Sequence, residues 1–152
     1  MSIEFRTRIS PGLVLLILSS TVCAEPCETI LATLQQEGQL FQTTQTADKQ
    51  TTQYRGGNNI TLSVNCSFGK PNVFISWDGQ KPDQQFYGLV GRVGSLVSSR
   101  SAADIVTVSK QCRERAIKDS GEIATIEKKG LAIECQAFSR DGGGTSISVF
   151  AE

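Results

Sequence analysis

The stretch NITLSVNCSF, residues 59–68, alternates without a fault. Ile60, Leu62, Val64, Cys66 and Phe68 share one parity, and Thr61, Ser63, Asn65 and Ser67 share the other, which is the period of a strand with one buried face. A cysteine therefore stands in an otherwise apolar row. Further along, Leu131, Ile133 and Cys135 fall on one side and Glu134 and Gln136 on the other. Two strands that each aim a cysteine at the core imply staples between a sheet and whatever packs on it.

The N-terminus indicates the compartment. Arg6 and Arg8 precede the apolar run Leu13 to Leu18 and the small residues Ser19, Ser20 and Thr21, the layout of a secretory signal peptide. Val22 and Ala24 suit cleavage after residue 24. The run is shorter than the ~20 apolar residues that span a bilayer. A rival reading keeps Cys23 as the lipidated first residue of a lipoprotein, although Val22 is bulkier than the small residue expected before such a cysteine. Residues 1–24 are thus expected to be a signal peptide and residues 25–152 one secreted domain, long enough for a real core.

Loss of Glu4, Arg6 and Arg8 leaves 13 Lys+Arg against 14 Asp+Glu from the chain's 15 of each. A balance so even gives no electrostatic footprint for nucleic acid or anionic lipid. With Cys23 gone, Cys27, Cys66, Cys112 and Cys135 remain, and an even number in an exported chain reads as disulfides. A metal site is disfavoured, because the chain has no histidine and no C-x-x-C pair.

Pro26 can open a helix, with Cys27, Ile30, Leu31 and Leu34 at i, i+3, i+4 and i+7 before Gly38. Residues 39–53, rich in Gln and Thr, read as a strand near 40–46 or as a loop. Arg55-Gly56-Gly57-Asn58 then reads as a turn, and residues 60–77 as a hairpin with Val73, Ile75 and Trp77 inward. Ser101 and Asp104 cap a second helix on which Ile105, Val108, Cys112 and Ala116 trace one face before Gly121. Strands follow at 122–127, at 131–139 and around Ile147 and Val149.

Two segments, 26–78 and 101–151, thus share a grammar of helix with inward cysteine followed by strands. The expected fold is α+β, built from two pseudo-repeated units of α-β-β-β with the helices on one face of antiparallel sheet. The repeat selects Cys27–Cys66 and Cys112–Cys135 among the three possible pairings. In the connector, 79–100, Gly88, Gly91 and Gly94 weaken a helix by up to ~1 kcal/mol each. A strand or irregular chain is therefore expected there, over a short helix burying Phe86, Leu89, Val93 and Leu96.

Without histidine there is no Ser-His or Cys-His dyad, and paired cysteines leave no thiol nucleophile. Ser67-Phe68-Gly69-Lys70 has the S-x-x-K letters of serine acyl enzymes, but at a strand end instead of a helix start. Asp78 and Asp83 flank a turn, and their neighbourhood is the one hint of a carboxylate site. The glycine series lacks the G-x-G-x-x-G spacing of a phosphate cradle. Asn59-Ile60-Thr61 and Asn65-Cys66-Ser67 are glycan acceptors only in a eukaryotic host.

What remains is a polar sheet face with aromatics and arginines at its margins, the residue types that dominate interface energy. The candidate surface comprises Tyr54, Arg55, Thr61, Ser63, Asn65, Asp78, Tyr87, Arg92 and Arg140, with Trp77 assigned to the core by its parity. The tandem helix-and-sheet layout, one disulfide per unit, resembles that of secreted β-lactamase inhibitor proteins; the likeness is architectural, carries no motif and implies a protein-capping role. The expectation is a periplasmic or extracellular, non-enzymatic domain that binds another protein, of inhibitor or immunity type, needing no cofactor and leaving oligomeric state open. The alternatives are an envelope structural or accessory subunit, lipidated if Cys23 is retained, and a carboxylate-dependent hydrolase.

Overall fold

A computed structural model of the chain describes residues 26–150. Three helices and seven strands run in the order α1 (Pro26–Gln35), β1 (Leu40–Gln45), β2 (Thr51–Gly56), β3 (Ile60–Asn65), β4 (Asn72–Trp77), α2 (Gln84–Val97), α3 (Ala102–Lys118), β5 (Ile123–Lys128), β6 (Leu131–Phe138) and β7 (Gly144–Phe150). The strands form one antiparallel sheet in the order β1-β2-β3-β4-β7-β6-β5. Consecutive strands pair throughout except at the centre, where β4 meets β7. Helices α2 and α3 carry the chain from that centre to the far edge, and β5 to β7 bring it back.

The alternation that opens at residue 59 holds through β3, residues 60–65, after which Ser67–Gly69 turn as a short 3-10 helix. Leu62 and Val64 are fully buried, and in the neighbouring strands Val73, Ile75, Ile147, Val149, Leu131, Ile133 and Cys135 line the same layer. Against that layer lie Ile30 and Leu34 of α1, Phe86, Leu89, Val90, Val93 and Val97 of α2, and Ile105, Val108, Cys112 and Ala116 of α3. At about 1.5–3 kcal/mol for each large side chain buried, this single core dominates folding. The expected cap of α3 forms, with Ser101 Oγ accepting from Asp104 N at 3.2 Å, and Asp83, read from the sequence as part of a turn, caps α2 by accepting from Phe86 N at 2.8 Å.

Both expected disulfides form, Cys27–Cys66 and Cys112–Cys135, each with Cα atoms 5.8 Å apart. One ties α1 to the end of β3 and the other ties α3 to β6, the strands flanking the central β4–β7 pair. The two differ in burial: Cys112 and Cys135 are sealed, whereas Cys27 and Cys66 are half-buried.

Two expectations need correction. Residues 51–56 form β2 instead of leading into a turn, so α1 is followed by four strands and not three. The connector is helix α2, whose inward row ends at Val97 while Leu96 is exposed. The glycines that argue against that helix are what let it pack. A Cβ on Gly91 would sit 2.7 Å from both Ala102 O and Val106 Cγ2, and one on Gly94 would sit 3.0 Å from Ile105 Cγ2. Close approach of α3 outweighs the propensity cost.

Candidate interaction surface

All three helices pack on one face of the sheet, and none of the described residues covers the other. On it the register places Phe41, Arg55, Thr61, Ser76, Ser146, Gln136 and Ile123 in one row. In the next row Gln53, Ser63, Phe74, Ser148, Glu134 and Thr125 stand side by side, and in the third Thr51, Asn65, Asn72, Phe150, Ala132 and Glu127. Phe74 faces Ser148 and Phe150 faces Asn72, which makes the two phenyl groups diagonal neighbours at the centre of the sheet. Phe74 is 41% exposed, Phe150 37% and Phe41 69%. Ser63 stands beside Phe74, and Asn65 beside Asn72. Exposed aromatics in a field of Ser, Thr and Asn combine rigid apolar anchors with adaptable hydrogen-bonding groups, the composition of antibody-like recognition surfaces.

Arg55, Thr61, Ser63 and Asn65 of the candidate surface are brought together on this face. The other five lie elsewhere. Tyr54 points inward from β2 and is 1% exposed, because its parity matches that of Leu62 opposite it. Tyr87 sits under α3 with Lys110 Nζ 5.2 Å from its ring centroid and its ring edge-on to Phe86. Burial raises the pKa of both phenols; at Tyr87 the Arg113 guanidinium acts against that shift and Glu114 adds to it. Arg92 forms a two-pronged pair with Glu37, at 3.1 and 3.3 Å, which joins α2 to the end of α1. Arg140 pairs with Glu122 at 3.2 Å. Asp78 lies in the turn after β4, where its N–H donates to Asn59 O.

Sequence reasoning passed over Phe41, Phe74 and Phe150. For the last two the signal was present: Val73, Ile75, Ile147 and Val149 point inward, so Phe74 and Phe150 must point out. Trp77 packs against the core, edge-on to Phe86 at 6.0 Å.

Two of the groups weighed for catalysis make local structural contacts. Asp83 caps α2, and Ser67 Oγ, at the start of a single 3-10 turn, donates to Gln50 Oε1 at 2.8 Å. Among the described residues no three His, Cys, Asp or Glu side chains converge as metal ligands. An apolar cavity of about 320 Å³ lies where β1 and β2 meet α2, lined by Leu40, Phe41, Ile60 and Leu89 with the Arg92–Glu37 pair at its rim. Compared with known proteins, the chain matches no family model, no curated protein and no solved structure, so the likeness to β-lactamase inhibitor proteins gains no support there.

Proposed function

We propose that this is an exported, non-enzymatic protein-binding domain that grips its partner with the uncovered face of its sheet. The observation that carries the reading is the Phe74–Phe150 pair, two phenyl groups held outward on the central β4–β7 pair of a face on which Thr, Ser, Asn and Gln predominate, with Arg55, Glu134 and Glu127 in the strands toward its edges. Export rests on the signal-like residues 1–24, which lie outside the described residues, and on two disulfides of the kind that persist in oxidising compartments. Among the described residues no helix is long and apolar enough to cross a membrane. The pseudo-repeat belongs to the same proposal: each disulfide joins a helix to a strand flanking the central pair, as expected of two units joined at β4 and β7.

Such a surface suits an inhibitor or immunity-type protein, which needs a broad rigid platform instead of a cleft. Affinity capture from the native envelope should return one stoichiometric protein partner. Capture of none, or turnover of a substrate dependent on Asp78 or Asp83, would sink the reading. Mass spectrometry of the mature N-terminus separates a chain beginning at Glu25 from one retaining a lipidated Cys23.

A further inference from the structure

The two edges of the sheet are built differently. The β5 edge, Ile123–Lys128, ends in Glu127 and Lys128 and runs into Lys129. Charges of that kind, lysine above all, are how natural sheets stop other strands from pairing with them. The β1 edge, Leu40–Gln45, reads LFQTTQ, with no charge and no proline. Five of its six residues are exposed, and Phe41 at 69% is the most exposed large apolar side chain among the described residues. Among the described residues the strand is hydrogen-bonded to β2 on one side and to no strand on the other.

We infer that β1 pairs antiparallel with β1 of a second copy, joining two sheets edge to edge about a two-fold axis near Gln42 and Thr43. A strand without charges meets none in its own copy, and a mature chain with 13 Lys+Arg against 14 Asp+Glu has almost no overall repulsion to oppose association. The pairing is isologous and closes on itself. It leaves the open faces free and sets the Phe41 side chains on a common surface, one on each side of the seam. The bulge between Gln42 and Thr44 raises the local twist and, as at other natural edges, limits pairing, so the ladder is confined to a few residues. Thr43 Oγ1 donates to Gln53 O at 3.2 Å, Thr44 Oγ1 to Gln53 Oε1 and Gln45 Nε2 to Thr52 Oγ1, both at 3.0 Å, which holds this stretch against β2.

The inference is independent of what the open face binds. Sedimentation velocity of the purified, disulfide-oxidised protein over a concentration series tests it. A species of twice the chain mass is expected. Gln42→Lys, which sets two ammonium groups near the axis at an exposed position, should raise the dimer dissociation constant at least tenfold with unchanged circular dichroism. Glu127→Lys on the opposite edge should leave it unchanged. A single-chain mass at every concentration would overturn the inference, as would a dimer broken by the β5 variant and not by the β1 variant; either result would leave β1 to a strand of a different protein.

Discussion

Gly91 shows most sharply how one residue decides local structure. Replacing it with alanine gains up to ~1 kcal/mol of helix propensity. The new methyl, however, would lie 2.7 Å from Ala102 O, a backbone atom that cannot swing aside. Overpacking of this kind costs about 1–3 kcal/mol, so Gly91→Ala should lower stability by roughly 1–2 kcal/mol in urea unfolding. Gly88→Ala, whose methyl would meet only the tip of Arg92 at 3.4 Å, should be neutral or stabilising. Equal effects at the two positions would contradict the close α2–α3 packing. The tyrosines give a second test. Burial raises both phenol pKa values above 10.0, so the unfolded chain releases these protons first as pH rises. Their contribution to stability is complete below pH 10 and is lost above it. Absorbance at 295 nm should therefore show both phenols ionising at higher pH in the folded protein than in the urea-unfolded chain. A phenol titrating near its ordinary value in the folded protein would place that ring in solvent.

Among the elements, the two staples should behave differently. They close loops of 39 and 23 residues, for which the chain-entropy estimate is roughly 3–4 kcal/mol each. Because Cys27 and Cys66 are half-buried while Cys112 and Cys135 are sealed, limited dithiothreitol should open Cys27–Cys66 first, as read by alkylation and peptide mapping. The reverse order would contradict the burial pattern. The same elements show what was legible beforehand. Strands β3, β4, β6 and β7 follow from alternation alone, since their inward rows are aliphatic, and α3 follows from its cap and stripe. Strand β2 escaped because its inward row is Thr52, Tyr54 and Gly56, which hides the period; Thr52 is buried by accepting a hydrogen bond from Gln45 Nε2. Helix α2 escaped because its glycines have a tertiary cause, the proximity of α3, which no local rule carries. For the site, the face was legible and its anchors were not sought: polar parity pointed to Thr61, Ser63 and Asn65, while Phe74 and Phe150 share that parity in neighbouring strands. Tyr54 and Tyr87 are buried because strand parity and helix face, and not nearness to an element's end, decide exposure.

For the molecule as a whole, one layer of helices and one layer of sheet leave a broad surface that none of the described residues covers. Central, rigid aromatics of such a surface dominate binding, with losses of about 2 kcal/mol or more on truncation, or roughly 30-fold in affinity. Phe74 and Phe150 are 41% and 37% exposed and stand on the face of the sheet opposite the core. Removing them should therefore change stability by no more than ~0.5 kcal/mol, as for surface positions in general. The most direct measurement is a parallel affinity capture with the native protein and a Phe74→Ser, Phe150→Ser double variant of equal thermal stability. The native protein should retain a stoichiometric partner and the variant should lose it. The same partner held equally by both, or none held by either, would contradict a docking role for the open face.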